Sequence, residues 1–478
     1  MSTVIQPPNG TRDLYPIEAA RRRFITEAWR RVSICHGFEE IDGPTFEHLD
    51  LYTVKSGEGI VSELFSFRRA GGEKDFALRP EFTPTMARMY AARAKSLPSP
   101  TKWFSCGPYF RAERPQRGRL REFLQWNCDV IGGESDQMLR EADADVVAAC
   151  VGLLAALGLN PTTARVKINN RQSMAVRLRA GGVPDARLPE AFGLLDQREK
   201  LDAREWMARA QAFGFSADLL AYFDPGRREV IRLDSDGGAV SPGEGLEPEY
   251  VELQRSPGSL WHALEERGLA SWCEFDNRIV RGLAYYTGMV FEVIVDGERA
   301  VAGGGRYDNL IELFGGPPTP AVGFGMGDVV LSLVLQDKGL MPADEELVEF
   351  AGLRPDVFVI SNGTPEANAM LGPVVALLRR GAGPFPAGSP RPPSEEPRPW
   401  AQVHPTPPGS AALHVRRSYK ATKKIGKLLQ EAAEVRARLA VILESPTEAT
   451  IKDMRTGTQD QSRTPIDRLG DEVRRRLA

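Results

Sequence analysis

WFSCGPYFRAERPQRGRLREFLQWNCDVIG, residues 103–132, decides how the rest of the chain is read. Two strand-like runs flank a loop rich in Arg, Pro and Gly, a pattern that predicts a β-hairpin. Side chains alternate across an extended strand, so Phe123, Gln125, Asn127 and Asp129 share one face while Leu124, Trp126, Cys128 and Val130 share the other. The second set is apolar and suits a core. The first is mostly polar and either meets water or lines a pocket, where an acid and two amides on adjacent pleats suit a small polar ligand. The loop sets Arg111, Arg114, Arg117, Arg119 and Arg121 against Glu113 and Glu122. So many guanidinium groups suit forked hydrogen bonding to phosphate oxygens, with a solvated charged surface as the plainer alternative.

Upstream, Ala20, Phe24, Ala28 and Val32 recur at helical spacing between Ile17 and His36, and Gly37 supplies a stop. GFEEIDGPTFE (37–47) reads as short strands broken at Pro44, and LRPEFTPTMAR (78–88) places the carboxylate of Glu81 just before a helix, with Thr83 and Thr85 behind it. Downstream, residues 172–256 read as a charged, helical insertion, with loop-like clusters such as SDGGAVSPGEG. Strand signals return over Val280–Val295, with Arg281 at the strand mouth, four and five residues before Tyr285 and Tyr286. A glycine run, AGGGRYD, and GFGMG followed by a helix close this part.

From Pro355 the pattern becomes strand, helix, strand, helix, strand: a small α/β domain. Within it residues 384–408 hold ten of the 36 prolines and predict a stiff, solvated excursion. The expected organisation is therefore 1–171 and 257–342 as two parts of one domain, 172–256 inserted between them, and 355–478 as a second domain. In HVRRSYKATKKIGKLLQEAAE (414–434), Lys420, Lys423, Lys424 and Lys427 fall at i, i+3, i+4 and i+7, which predicts one basic face of a long helix starting at Lys420, preceded by Arg416 and Arg417. No acid interrupts residues 411–427, and a solubilising face usually mixes signs, so this patch suits a phosphate backbone.

Composition narrows the classes. Hydrophobic residues make up 42% and charged residues 26%, and no apolar run approaches the ~18 residues that span a bilayer, so a membrane protein is not expected. The start, MSTVIQPPNGTRDLYP, lacks a secretory pattern and points to the cytoplasm. Five scattered cysteines and five histidines form no metal-ligand spacing, and no GxSxG elbow is present, so zinc and serine-hydrolase chemistry are disfavoured. The cysteines read as small buried apolar residues. At a net charge of −3, any nucleic-acid surface must be local.

These motifs together resemble the histidyl-tRNA synthetases of the class II aminoacyl-tRNA synthetase group. The resemblance runs along nearly the whole chain through NGTRDLYP, GFEEIDGPTFE, LRPEFTPTMAR, FRAERPQRGRLREFLQWNCD, RGLAYYTG, AGGGRYDNL and GFGMG. It implies an α+β catalytic domain with an antiparallel sheet flanked by helices, a helical insertion, and a C-terminal α/β anticodon-binding domain. It also implies a homodimer formed through the first helix and the GFEEIDGPTFE region, with L-histidine, ATP with Mg²⁺, and tRNA(His) as substrates. By this resemblance Arg111 and Arg281 act on the α-phosphate, while Glu113, Arg119 and Phe123 contact ATP. Glu81, Thr83 and Gln125 hold the histidine ammonium, and Asp129, Tyr285 and Tyr286 form its side-chain pocket. Gln116 reads the tRNA acceptor end, and Arg416, Arg417, Lys420, Lys423 and Lys424 bind tRNA elsewhere.

Two positions depart from the family pattern. Val330 stands where an arginine normally follows GFGMG, so another arginine is expected to serve the nucleotide. Ala284 stands where aspartate is common, which removes one supporting hydrogen bond. The rival reading is a non-catalytic, histidine-sensing paralogue similar to the regulatory subunit of ATP phosphoribosyltransferase. Val330 favours it, whereas Arg281 and the basic C-terminal patch oppose it.

Overall fold

The computed structural model describes residues 5–53, 64–198, 201–224, 230–233, 239–240, 259–281, 285–295, 298–380, 413–420 and 422–477. Two compact units divide the chain at Pro342/Ala343.

The first unit opens with the helix Pro16–Cys35, started by proline in its first turn and ended by Gly37 at φ 77°. Its most buried apolar residues are Ala20, Ile25, Trp29 and Val32, so the inward face is rotated from the expected one, with Phe24 and Ala28 at its margin. The strands then follow as β1 (Glu39–Glu40), β2 (Phe46–His48), β3 (Ser66–Arg68), β4 (Asp75–Leu78), β5 (Thr101–Phe110), β6 (Glu122–Ile131) and β7 (Ala164–Asn170). After a helical stretch come β8 (Val230–Leu233), β9 (Ala239–Val240), β10 (Cys273–Asp276), β11 (Met289–Val295), β12 (Ala302–Arg306) and β13 (Ala321–Gly327).

The expected hairpin is β5–β6, paired antiparallel from Thr101↔Ile131 to Phe110↔Glu122. It belongs to a ten-stranded sheet ordered β1-β5-β6-β13-β12-β11-β7-β10-β8-β9, antiparallel except where β1 meets β5 and β7 meets β10. Alternation along β6 then decides what each face does. Trp126, Cys128 and Val130 enter the main core with Phe324 and Met326 of β13 and the helices Pro16–Cys35 and Asp136–Ala156. Trp126 packs edge-on against Phe324 at 4.8 Å, and its indole N–H donates to Ser33 Oγ at 2.8 Å, so the buried polar atom is satisfied. The opposite face of the sheet meets the helix Thr83–Arg93.

Between β7 and β8, the helices Arg171–Ala180, Leu188–Asp196, Ala203–Phe213 and Ala217–Tyr222 enclose a small core of their own, centred on Leu178, Trp206 and Phe223. Helical spacing leaves no hint that β8, at the end of this stretch, joins the main sheet beside β10. Much of 225–258 lies outside the described residues.

The second unit carries β14 (Val357–Ser361), β15 (Val415–Arg417), β16 (Leu439–Leu443), β17 (Glu448–Asp453) and β18 (Thr464–Pro465) in the order β15-β14-β16-β17-β18. β14 is parallel to both β15 and β16. The helices Leu371–Arg380 and Ile466–Leu477 cover one face and Ile425–Glu434 the other, the doubly wound arrangement that a strand–helix alternation produces. The proline-rich excursion 384–408 lies outside the described residues.

Candidate active site

The polar face of β6 does not meet water. Gln125, Asn127 and Asp129 are all buried, and Gln125 Nε2 donates to Asn127 Oδ1 at 2.9 Å. Opposite them in register on β13 stand Gly327, Gly325 and Gly323. A Cβ at Gly323 would lie 2.0 Å from Asp129 Oδ1, and one at Gly325 would lie 2.9 Å from Gln125 Nε2. The same holds on β12, where a Cβ at Gly303 would meet Arg281 Nη1 at 2.5 Å and one at Gly305 would meet Tyr286 Cδ1 at 2.9 Å. The two glycine-rich motifs thus form a bare backbone wall across which polar side chains from neighbouring elements lie.

Glu81, on the turn into the helix Thr83–Arg93, joins several of these groups. Its Oε2 accepts from Tyr285 O–H at 2.8 Å. Burial raises its pKa, while the Tyr285 hydrogen bond and the positive charges of Arg111 and Arg281 pull it back. The hydroxyl of Thr83 also bonds Tyr285. The Tyr285 ring lies 5.0 Å from Tyr286 and 5.9 Å from Tyr307.

Tyr307 O–H donates to Asp129 Oδ1. Burial lifts Asp129 to about 7, with the Tyr307 hydrogen bond opposing the rise and the Glu81 charge adding to it. Sequence reasoning missed Tyr307. It lies inside the quoted AGGGRYD motif, but only the fold reveals that it caps one oxygen of Asp129.

Arg281 is not at the mouth of a strand. It sits at φ 55°, in the left-handed region that an extended strand cannot contain, and β11 begins only at Met289. Residues 282–284, including Ala284, lie outside the described residues. Burial works against the charge of Arg281, but the ion pair to Glu292 Oε1 at 2.7 Å and the nearby phenols more than offset it, so the guanidinium stays protonated. Its Nε is buried without a hydrogen-bond partner, an orphan donor of the kind a ligand satisfies. Arg111 donates from Nε to Pro80 O at 3.1 Å and stands 5.1 Å from the centre of the Phe123 ring.

The hairpin loop is largely occupied with itself. Arg119 Nη1 lies 2.8 Å from Glu113 Oε2, Arg117 reaches Glu298 and Asp337, and Gln116 Oε1 accepts from Arg299 at 2.9 Å. The N-terminal NGTRD segment lies against it: Arg121 N donates to Gly10 O at 2.8 Å, and Arg12 pairs with Asp328 at 2.7 Å. Val330 occupies the first turn of the helix Asp328–Asp337, its Cγ2 3.2 Å from where a Cβ of Gly118 would stand. A further residue missed from sequence is Arg79. It is buried and donates to Pro108 O, Asp42 Oδ1 and Gly43 O, tying the turn after β1 to the end of β5.

Of the 11 residues assigned to histidine, ATP and catalysis, the structure joins Glu81, Thr83, Arg111, Phe123, Asp129, Arg281, Tyr285 and Tyr286 through these contacts, and Gln125 beside them. Glu113 and Arg119 form a separate pair in the loop.

The model of the family described as histidyl-tRNA synthetase matches residues 10–327. The chain belongs to the histidyl-tRNA synthetase family. A histidine–tRNA ligase of Opitutus terrae is 38% identical over 381 residues, covering 78% of this chain and 82% of that one. One of Thermococcus kodakarensis is 38% identical over 366 residues, covering 74% and 78%. Among solved structures, the apo histidyl-tRNA synthetase of S. aureus superposes with TM-score 0.64 at 21% identity over 98% of this chain and all of that one. An ATP phosphoribosyltransferase regulatory subunit/histidyl-tRNA synthetase of Bacillus halodurans gives TM-score 0.58 at 20% identity over 79% and 90%, which shows a shared fold. The curated relatives are named as ligases, so the sensor alternative is not favoured. The matched stretch of the histidyl-tRNA synthetase family contains every histidine and ATP residue named above, and it ends before the basic loop of the second unit.

That loop corrects one expectation. The helix begins at Ile425, so Lys420, Lys423 and Lys424 precede it and only Lys427 lies on it. Local hydroxyls win over helical spacing: Lys420 N donates to Ser418 Oγ and Lys424 N to Thr422 Oγ1, turns that compete with the helix. Among the described residues, no three His, Cys, Asp or Glu side chains cluster to hold a metal, and no helix is long and apolar enough to cross a membrane. Of the cysteines, Cys128, Cys150 and Cys273 are buried, Cys106 is half-buried and Cys35 is exposed.

Proposed function

We propose that the chain is a histidine–tRNA ligase that joins histidine to ATP as histidyl-adenylate with release of pyrophosphate, then transfers histidine to the 3′ end of tRNA(His). The observation that carries this reading is the placement of Arg111 and Arg281 within electrostatic reach of Glu81, which binds Tyr285 beside the Asp129–Tyr307 pair.

In this reading Glu81, Thr83 and Gln125 hold the α-ammonium of histidine. The imidazole offers one donor and one acceptor, and Asp129 with Tyr285 and Tyr286 satisfies both. Tyr307 and the Gly323 backbone close off Asp129 Oδ1, which leaves Oδ2 for the imidazole N–H. A site built on such hydrogen bonds rejects an apolar isostere by about four orders of magnitude, because its buried polar groups are then unpaired.

The histidine carboxylate attacks the α-phosphorus while the bond to the pyrophosphate oxygen breaks, and negative charge grows on the non-bridging oxygens. Arg281, fixed by Glu292, and Arg111, fixed by Pro80 O, meet that charge with donors already in place. Phe123 stacks on adenine, Glu113 and Arg119 separate from each other to contact the nucleotide, and ATP enters as its magnesium complex. Gln116 contacts the acceptor end, and the loop from Arg416 to Lys424 binds the anticodon side of tRNA. A homodimer forms through the first helix and residues 37–47; the aromatic group of Phe46, Phe67 and Phe76, with Phe46 half exposed, supports this. We place the enzyme in the cytoplasm.

The test is histidine-dependent exchange of pyrophosphate into ATP. Arg281→Ala is expected to lower kcat/KM by about a hundredfold to a thousandfold. A variant within threefold of wild type sinks the assignment.

A further inference from the structure

Among the described residues of the second unit, Tyr419 is the aromatic side chain most open to solvent. Tyr419 is 83% exposed, and the Arg417 guanidinium stands 4.6 Å from the centre of its ring. A single exposed aromatic residue needs no explanation by itself. This one is held from both sides. Ser418, buried between Arg417 and Tyr419, accepts from Lys420 N at 3.1 Å and donates to Glu431 Oε2 at 2.7 Å, and Lys420 Nζ lies 3.4 Å from the same carboxylate. The ring therefore projects from a pinned turn.

Its place in the fold matters as well. β14, β15 and β16 are parallel, and the strand order β15-β14-β16 reverses direction of progress at β14. In open α/β sheets ligands bind outside the carboxyl ends of the parallel strands; the switch point itself lies between β14 and β16, and β15 flanks β14 on its other side along the same edge. Tyr419 follows the carboxyl end of β15, and the turn Asn362–Gly363 follows that of β14. Gly363, at φ 86°, admits Lys423 so closely that a Cβ there would lie 2.7 Å from Lys423 Cγ. The same edge thus carries a flat ring, an arginine against it, and the exposed Lys420, Lys423 and Lys424. Duplex grooves offer no base face to stack on, whereas unpaired bases do, and aromatic rings among cations are how proteins hold single-stranded nucleic acid.

We propose that Tyr419 is the stacking platform for an unpaired base of the tRNA anticodon loop, with Arg417 backing the ring and the lysines tracking the flanking phosphates. This rests on the reading of the basic loop as a tRNA-binding surface.

The test uses the full chain with Y419A, Y419W and the triple variant K420E/K423E/K424E, charging full-length tRNA(His) and an acceptor-stem minihelix. Y419A is expected to raise KM for the tRNA about tenfold and Y419W to restore it, with minihelix charging and pyrophosphate exchange unchanged. An anticodon stem-loop bearing 2-aminopurine at the stacked position is expected to lose fluorescence on binding wild type but not Y419A. If the triple variant weakens tRNA use while Y419A does not, stacking is wrong and the phosphate-binding loop stands. If neither variant moves KM for tRNA, both fall. An equal loss on the minihelix overturns the assignment to the anticodon side.

Discussion

Two of the places where arginine and tyrosine meet in this molecule differ in their surroundings. Around Glu81, Tyr286 and Tyr307 are buried and Arg281 and Tyr285 half-buried; Tyr285, Tyr307 and Arg281 are each fixed by a carboxylate, and Arg281 and Tyr286 lie against the bare backbone of Gly303 and Gly305. In the second unit, Tyr419 lies in the open on a short turn, with the half-buried Arg417 at the end of β15 against its ring. The first arrangement suits a small ligand whose every donor and acceptor must be matched, since a misplaced atom in a low-dielectric site is costly. The second suits a long, charged polymer that brings many weak contacts and tolerates local error. The contrast predicts that the buried region responds steeply to single atoms and the exposed one gradually to charge.

The steepest response is expected at Gly323. Gly323→Ala puts a methyl 2.0 Å from Asp129 Oδ1 and 2.8 Å from Cys128 O, so the strand must shift. A stability loss of ~1–3 kcal/mol in thermal unfolding, with histidine activation reduced beyond a hundredfold, is expected. Unchanged KM for histidine breaks the picture of a backbone wall. Asp129→Asn removes the charge but keeps the shape, and a fall of roughly thirtyfold to a hundredfold in kcat/KM for histidine is expected from losing a charged hydrogen bond. A change below threefold means the imidazole is read elsewhere.

Tyr307→Phe gives a milder loss, about tenfold, with a signature in pH. Asp129 is raised to about 7, so its carboxylate forms as pH rises through neutrality, and activation of histidine should rise over the same range. The Tyr307 hydrogen bond favours the charged form, so its loss moves that rise to higher pH. Stability runs the other way: a raised carboxyl stabilises the fold below its unfolded pKa and this is lost as pH climbs through about 7. A pH profile of pyrophosphate exchange, with Asp129→Asn to separate the titration of histidine itself, decides it.

The smallest effect is expected at the exposed loop, where replacing Lys420 alone by Ala should cut tRNA affinity only severalfold and lower the slope of affinity against salt by about one. A salt-independent loss contradicts a phosphate contact.

How much of this was legible in the sequence depended on range. Period-two alternation in 123–130 was enough to assign the two faces of β6, because a strand's geometry is local. The glycines of AGGGRYD and GFGMG were visible, but their purpose depends on side chains far away in sequence. Tyr307 escaped for the same reason, since its partner Asp129 lies 178 positions away. Arg281 lies outside the strand that propensity predicts, because propensity does not reveal a left-handed backbone. At Lys420–Lys424 helical spacing was real, yet two hydroxyls turned the chain first.

The glycine strands carry a consequence for how this enzyme can change. A wall made of main chain has no side chain left to trim, so no substitution along it can enlarge the cavity. Every mutation there adds atoms. Any enlargement there must therefore come from the opposite side, through the phenols and the acid, and under the proposed reading that route dismantles the recognition of histidine before it creates room for anything else.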